Sequence, residues 1–226
     1  MNNMEYFIQH LRKYRNRLIQ FFLIASLLVG ICICIVFLVN NDIAAEASNM
    51  YGDRKLPIYC VQTEEKVIAL SFDAAWGNED TGQILEILER QDVKVTFFMT
   101  GGWVEAYPED VKRIYEAGHE LGNHSENHLN MSELSAEEIE EEIMLVHNRV
   151  KEITGCDMIL FRPPYGDYDN DVITGVENCG YYAIQWNVDS LDWKNYGRDS
   201  IIKTVTCHKN LGNGSIILCH NGAKYT

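Results

Sequence analysis

Residues 67–100 read VIALSFDAAWGNEDTGQILEILERQDVKVTFFMT and contain the patterns of a strand, a helix and a second strand. Residues 67–76 form a largely apolar run, which is typical of a strand buried on both faces. Residues 81–90 place apolar side chains at helical spacing, and residues 93–100 return to the buried-strand pattern. Two buried strands joined by a helix predict a βαβ unit with parallel strands.

The alternation of strand and helix patterns continues to residue 220. The longest predicted helix begins at a capping box formed by Ser135 and Glu138, and its apolar residues recur every three or four positions until Gly155. The whole chain carries about six βα units. Such repetition predicts a parallel sheet covered by helices, either as an open sheet or as a barrel.

Polar residues at the ends of the predicted strands decide between these two folds. The C-terminal ends of different strands carry Asp73, His124, Arg162, Asp189 and His220. A βα barrel builds its active site at those ends, whereas an open sheet gathers its ligand at one switch point. We therefore predict an α/β barrel. Residues 221–226 are too few for another βα unit, so the barrel is expected to lack its last one.

An uncharged segment near the N-terminus has the length of a membrane span. Residues 18–39 read LIQFFLIASLLVGICICIVFLV, and four basic residues precede them. About 20 apolar residues cross a bilayer and basic flanks stay cytoplasmic, so the remainder is expected to be exported. The predicted organisation is a basic cytoplasmic N-terminus (1–17), a transmembrane signal anchor (18–40), an extracytoplasmic stalk (41–63) and the main domain (64–226). Secretion after cleavage near Ala47 is the alternative.

The exported part of the chain is strongly acidic. The net charge is −14 over 226 residues, and residues 41–226 carry 15 basic against 32 acidic groups. Proteins that bind nucleic acid need basic patches to displace counterions from the phosphates, so this balance argues against a nucleic-acid partner. A neutral polymer or a cationic ligand suits the surface, and the sequence leaves the oligomeric state open.

A pair of histidines marks a candidate metal site. The stretch LGNHSENHLN, residues 121–130, places His124 and His128 four positions apart. Zinc accepts imidazole nitrogens, and two residues at this spacing can direct both rings at one ion. Two solvated histidines in a loop are the alternative interpretation. The pair follows a predicted strand on the same face as Asp73 and His220, which favours the metal site.

Five short motifs occur in an order that resembles a known family. They are SFDAAWG (71–77), HSENH (124–128), RPPYG (162–166), DSLDW (189–193) and LCH (218–220). Together they resemble the polysaccharide deacetylases with the NodB-homology domain, over roughly residues 64–226. Within that family the chain is most similar to membrane-anchored, sporulation-type or cell-wall deacetylases of Gram-positive bacteria.

The resemblance implies a deformed (β/α) barrel and a hydrolase that removes N-acetyl groups from cell-wall glycan or chitin-like oligomers. It also implies a divalent metal, with zinc first and cobalt or another divalent ion as alternatives. The first motif of the family usually carries two successive acids, a base and then a metal ligand, whereas here Asp73 is followed by Ala74. The third protein ligand therefore stays open. Asp80 and Glu79 rank first because their oxygens suit the role, and the others are Asn78, Glu126 and Asn127.

The same resemblance implies a role for each matching residue. The metal ligands would be His124 and His128, the base Asp73, and the acid that protonates the leaving amine His220. Arg162 would orient Asp73. Asp192 would hold His220 and raise the pKa of its imidazole. The backbone N–H of Tyr165 would stabilise the oxyanion. Trp193 and Leu218 would shape an acetyl pocket.

Two alternatives remain at the level of the sequence. The same site could act as an esterase on O-acetyl groups of a polysaccharide. The absence of the usual ligand at Ala74 instead favours a catalytically silent wall-binding or structural protein. Trp76 could stack on a sugar ring, although core packing explains an aromatic residue at least equally well.

Overall fold

The computed structural model describes residues 53–226, and Lys55–Thr226 form one compact unit. Its strands are β1 (Ala69–Ala74), β2 (Thr96–Met99), β3 (Glu120–Asn123), β4 (Leu160–Phe161), β5 (Tyr182–Ala183), β6 (Val188–Asp189) and β7 (Ile216–His220). Its helices are α1 (Thr81–Arg90), α2 (Gly101–Ala106), α3 (Pro108–Glu116), α4 (Ala136–Thr154), α5 (Asn170–Asn178) and α6 (Arg198–Thr206). Short 3₁₀ turns occur at Met131–Glu133, Pro164–Gly166 and Asp192–Lys194.

The compact unit begins earlier than the start at residue 64 that the sequence predicts. The predicted transmembrane segment at residues 18–40 lies outside the described residues. Within residues 53–226, no helix has both the length and the apolar character that a membrane span needs.

The strands form one parallel sheet in the order β5-β4-β3-β2-β1-β7-β6. This arrangement confirms the predicted α/β class with a parallel sheet. Strand β6 was not predicted, because Val188–Asp189 is a two-residue strand without a period of its own. Every strand runs in the same direction, so the C-terminal ends of β1, β3, β4 and β7 meet at one edge.

The sheet is strongly curved. Two strands separate β4 from β1, which in a flat sheet corresponds to roughly 14 Å. Nevertheless Arg162, directly after β4, donates from Nη2 to Ser71 Oγ on β1 at 2.9 Å. An arginine side chain cannot span the flat distance, so the sheet must curl until the two strands face each other. This curvature is consistent with the predicted deformed barrel.

A segment before β1 joins the two sides of the curved sheet. The Ile58 N–H donates to the Ala183 carbonyl beside β5 at 2.8 Å, and the Val61 N–H donates to the Gly214 carbonyl before β7 at 2.9 Å. Residues 58–61 therefore form hydrogen bonds with both sides, although the sequence indicated only a stalk there.

The two faces of the sheet have different environments. On β1, Phe72 and Ala74 belong to the main core between sheet and helices, where Ala74 is fully buried. Successive side chains of a strand alternate, so Asp73 points to the inner side of the curve. Phe98 alternates in the same way on β2 and forms a second, inner cluster with Ile184 and others. The polar site therefore lies inside the curve, and Ala74 lies outside it.

Helix α4 holds the loop that carries the histidine pair. The predicted capping box is present, since Ser135 Oγ accepts from the Glu138 N–H at 3.3 Å and the Ser135 N–H donates to Glu138 Oε2 at 2.8 Å. One turn further on, Glu142 accepts from the Asn127 N–H at 2.8 Å and from Asn127 Nδ2 at 2.6 Å. The apolar face of α4 is buried in the main core, which fixes the loop relative to the sheet.

Candidate active site

Arg162 and Asp73 form a buried ion pair at the base of the site. Arg162 Nη1 lies 2.5 Å from Asp73 Oδ1, and the arginine side chain is 0% exposed. Its guanidinium carbon lies 4.0 Å from the centroid of the Phe98 ring. Arg162 therefore holds Asp73 through Oδ1 and leaves Asp73 Oδ2 for other partners.

The protonation of His124 follows from its hydrogen bond. His124 Nδ1 lies 2.7 Å from the Arg162 carbonyl oxygen, which can only accept, so Nδ1 carries the proton. Burial lowers the pKa of His124 to about 4, so the ring is neutral at pH 7 and Nε2 presents a lone pair. Nε2 lies 3.4 Å from Asp73 Oδ2, which is also an acceptor. Two acceptors that face each other at this distance favour a cation beside them.

Because the His124 imidazole is buried, the free energy of unfolding should depend on pH. The unfolded chain protonates His124 near its usual pKa of 6.5, whereas the folded chain does so only at about 4. Between these values the unfolded state binds more protons, so the free energy of unfolding should fall as the pH is lowered, by roughly 3 kcal/mol from this residue. Urea unfolding of the metal-free chain at several pH values measures the slope. The His124→Gln variant should lack this component, and an equal slope in both proteins would contradict it.

His128 lies beside His124 in an unusual backbone conformation. Its φ is +55°, and its N–H donates to Ser125 Oγ at 3.0 Å. The ring centroids of His124 and His128 are 4.9 Å apart, and the Tyr165 ring lies 4.6 Å from that of His128. Burial lowers the pKa of His128 as well, more than the charge of Asp73 raises it. The structure thus brings together the two imidazoles that the sequence proposed as ligands.

The proposed third ligands lie elsewhere. The carboxylate of Asp80 accepts from Asn221 Nδ2 at 3.0 Å and from the Gly222 N–H at 2.8 Å, and Glu79 is folded over Gly77. The remaining candidates are also hydrogen-bonded to other side chains. Asn78 donates to Asp110, Glu126 accepts from Arg149, and Asn127 donates to Glu142. Among residues 53–226, no group of three or more His, Cys, Asp or Glu side chains has the geometry of a metal site. The donor set fits a divalent cation through its two imidazoles, and a third side-chain ligand is not in place.

His220 is paired with a fully buried carboxylate. His220 Nδ1 lies 2.7 Å from Asp192 Oδ1, and the His220 N–H donates to Asp192 Oδ2 at 2.6 Å. Burial lowers the pKa of His220, but the hydrogen bond and the negative charge of Asp192 outweigh it, so that pKa lies above its usual value. Burial by itself raises the pKa of Asp192. The hydrogen bond and the positive charge of His220 together outweigh burial, so the pKa of Asp192 lies below its usual value. The pair therefore favours an imidazolium that can donate a proton.

These groups surround one cavity of about 430 Å³. Seven of the predicted residues line it, namely Asp73, His124, His128, Tyr165, Trp193, Leu218 and His220. Arg162 and Asp192 do not line the cavity; both are fully buried behind the residues that do. The sequence did not predict Trp186 or Ala75 as lining residues, because their proximity depends on how the loops after β5 and β1 turn.

Tyr165 stands at the rim of the cavity in a left-handed conformation. Its φ is +59° and its ψ is +4°, within the turn at Pro164–Gly166. The residue is 70% exposed, so burial in the core does not explain the backbone conformation. Left-handed backbone in a residue other than glycine is uncommon and clusters at functional sites.

Comparison with known proteins shows to which family the chain is similar. Residues 61–184 match the family described as polysaccharide deacetylase. The chain is 37% identical over 164 residues to a peptidoglycan-N-acetylglucosamine deacetylase of Bacillus cereus, covering 72% of this chain and 76% of that protein. It is 35% identical over 153 residues to the peptidoglycan-N-acetylmuramic acid deacetylase PdaA of Bacillus subtilis, covering 64% and 58%. The chain thus spans only part of the length of these relatives.

Solved structures show the same fold. A CE4 family pseudoenzyme from Bacillus anthracis superimposes with a TM-score of 0.70 at 35% identity, covering 74% of this chain and 58% of that one. A mutant of a CE4 family pseudoenzyme with restored enzymatic activity gives a TM-score of 0.71 at 36% identity, covering 74% and 61%. The peptidoglycan deacetylase PdaC of Bacillus subtilis gives 0.65 at 33%, covering 73% and 79%. On its motifs, its fold and these matches, the chain belongs to the polysaccharide deacetylase family.

Proposed function

We propose that this chain is a metal-dependent hydrolase that removes N-acetyl groups from the sugars of cell-wall glycan. The observation that carries the proposal is the convergence of Asp73, His124 and His220 on one cavity, with Arg162 and Asp192 behind them. Acyl transfer to water needs a base, a group that stabilises the oxyanion and an acid for the leaving group. The cavity offers a candidate for each.

The chain's own residues divide the proton transfers between Asp73 on β1 and His220 on the paired strand β7. Asp73, held by Arg162 through Oδ1, takes the proton from the attacking water at Oδ2. The Tyr165 backbone N–H is assigned to the developing oxyanion. On the neighbouring strand β7, His220 is held by Asp192 through Nδ1, which leaves Nε2 to protonate the departing amine nitrogen.

His124 and His128 would hold the divalent cation, with zinc first and cobalt or another ion as alternatives. When bound, such a cation lowers the pKa of water and places positive charge beside the carbonyl oxygen. The neutral His124 ring, with its Nε2 lone pair facing the cavity side of Asp73, supports this assignment. An acetylated glycan is the proposed partner, and Trp193 and Leu218 would bound the acetyl group. O-acetyl esters are a second substrate class for the same groups.

A silent glycan-binding protein is the second candidate function. Two observations favour it, the burial of Ala74 in the core and the absence of a third side-chain ligand among the described residues. A similar fold is known in a CE4 family pseudoenzyme. Both functions predict glycan binding, so metal content and acetate release distinguish them.

The test uses the full chain purified in detergent. Zinc content is measured by mass spectrometry, and acetate release is measured on N-acetylglucosamine oligomers, on peptidoglycan and on an O-acetylated glycan. We expect close to one ion per chain and acetate from the N-acetylated substrates. Less than about a tenth of an ion per chain, with no acetate from any substrate, would leave only the binding function.

We also propose that residues 18–40 anchor the chain in the cell membrane by a single span, with residues 41–226 outside. The uncharged segment and the basic residues before it support this topology. Secretion after cleavage near Ala47 is the alternative. Protease digestion of intact cells, followed by detection of the N-terminus and the C-terminus, tests the topology.

The Ala74→Asp variant tests whether a ligand can be restored on this backbone. Ala74 is 0% exposed and belongs to the apolar core with Phe72, so a carboxylate there should lower the free energy of unfolding by about 3 kcal/mol in EDTA. Ala75→Asp is the matched control, because Ala75 lines the cavity and its carboxylate would stay in water. Urea unfolding measures both variants. Equal stability of Ala74→Asp and wild type, or full recovery by zinc, would show that the strand end turns this side chain toward the histidines.

A further inference from the structure

Trp76 lies face to face with the candidate acid. The indole ring of Trp76 and the imidazole of His220 have centroids 5.2 Å apart and planes inclined by 18°. Trp76 lines the cavity but is 49% exposed, so burial in the core does not account for its position. His220 therefore has two restraints, Asp192 at its edge and Trp76 on its face.

A hydrogen-bonded clasp holds Trp76 in this place. It joins the loop after β1 to the loop after β7 through fully buried Asn221, whose Nδ2 donates to the Gly77 carbonyl and to Asp80 Oδ1, both at 3.0 Å. Asp80 Oδ2 also accepts from the Gly222 N–H at 2.8 Å. Asp80 is thus a structural residue of this clasp rather than a metal ligand.

The two loops approach too closely for a side chain at Gly222. Its φ is +86°, and an added Cβ would lie 3.2 Å from Trp76 Cβ and 3.2 Å from the Gly77 nitrogen. Glycine is the residue that tolerates both this conformation and this contact. The clasp therefore fixes the backbone of Trp76 directly against the loop that follows His220.

We infer that Trp76 is a positioning residue for His220, which keeps the imidazole plane oriented so that Nε2 faces the cavity. This inference rests on the proposed function, in which Nε2 protonates the leaving amine. Asp192 restrains the ring only through Nδ1 and leaves it free to tilt about that bond. A parallel aromatic face removes the tilt, and it also attracts an imidazolium through the ring quadrupole.

A sugar platform is the competing role for Trp76. One face of the indole meets His220, so a pyranose could stack only on the other face. A platform contributes to binding in the ground state, so its loss raises KM. A positioning residue contributes to proton donation, so its loss lowers kcat with KM unchanged.

The test compares Trp76→Leu, which removes the ring face, with Trp76→Phe, which keeps it, in the full chain purified in detergent with zinc. For Trp76→Leu we expect kcat for acetate release to fall about tenfold with KM within about twofold, and for Trp76→Phe we expect recovery to within about threefold of wild type. A rise in KM at unchanged kcat, or equal loss in both variants, would overturn the inference.

A spectroscopic readout separates this inference from the proposed function. In the full chain with ¹³C-labelled histidine, ¹³C relaxation should show that the His220 ring becomes more mobile in Trp76→Leu and stays as ordered as in wild type in Trp76→Phe. Trp193→Leu, which alters a tryptophan on the same cavity, should leave that order unchanged. If wild type releases no acetate, the proposed function fails and the relaxation of the His220 ring alone decides the positioning role. Unchanged relaxation of the His220 ring in Trp76→Leu overturns the inference in either case.

Discussion

Replacement of Asp73 by asparagine is expected to lower the free energy of unfolding by about 3 to 5 kcal/mol. The reason is the environment of Arg162, whose side chain is 0% exposed and whose Nη1 pairs with Asp73 Oδ1. Its other hydrogen-bond partners are neutral, the Ser71 hydroxyl at 2.9 Å and the Gln185 carbonyl at 3.4 Å, and within residues 53–226 its Nε has no hydrogen-bond partner. Asparagine preserves the shape but leaves the guanidinium buried without its counter-charge.

Urea unfolding at pH 7 measures this loss, independently of any enzymatic activity. Asp189→Asn is the matched control, because Asp189 lines the same cavity and its Oδ1 accepts from the Leu191 N–H, which asparagine can also do. We expect that control to stay within about 0.5 kcal/mol of wild type. A loss below about 1 kcal/mol for Asp73→Asn would mean that another group neutralises Arg162. Acetate release should also disappear, since the variant has no base at this position.

The His124→Gln variant is expected to lose both metal and turnover. His124 supplies one of the two imidazoles, and glutamine is a far weaker ligand, so zinc content should fall below about a tenth of an ion per chain. Acetate release should fall at least about a thousandfold, because water that is not activated by a cation has a pKa of about 15.7. Elemental analysis and the acetate assay measure the two losses on the same sample.

His208→Gln is the control for this variant. His208 follows helix α6, where its Nδ1 accepts from the Asn210 N–H, and it does not line the cavity. It should keep the zinc content and the turnover of wild type. Retention of both properties in His124→Gln would remove the histidine pair from the mechanism. Loss of zinc with turnover retained would instead separate the cation from the chemistry.

The site combines strong restraints with one missing ligand. Asp73 and His220 are each held by a buried partner of opposite charge, so the two groups proposed for proton transfer are preorganised. Among residues 53–226, the proposed cation position has two imidazoles and no third side-chain ligand, since the residue next to Asp73 is an alanine that is buried in the main core. The missing third ligand explains why the hydrolase and the silent glycan-binding protein predict different metal contents although both use the same cavity.

The sequence by itself determined the class of fold and most of the residues that line the cavity. Alternating strand and helix patterns require parallel strands, and parallel strands bring their C-terminal ends to one edge. Polar residues at the ends of β1, β3, β4 and β7 could therefore be assigned to one site before any coordinates. The capping box at Ser135 could be predicted for a similar reason, since it depends only on residues within one turn.

The tertiary structure alone decided the residues whose role depends on loop paths. Asp80 was a plausible ligand from its oxygens, but its position opposite Asn221 depends on contacts between loops about 140 residues apart. The stacking of Trp76 on His220 depends on the same loops. The sequence also could not reveal that residues 58–61 would bridge β5 and β7, because such pairing has no local period. Periodicity reports which face of an element is buried, whereas loop contacts depend on where distant segments meet in space.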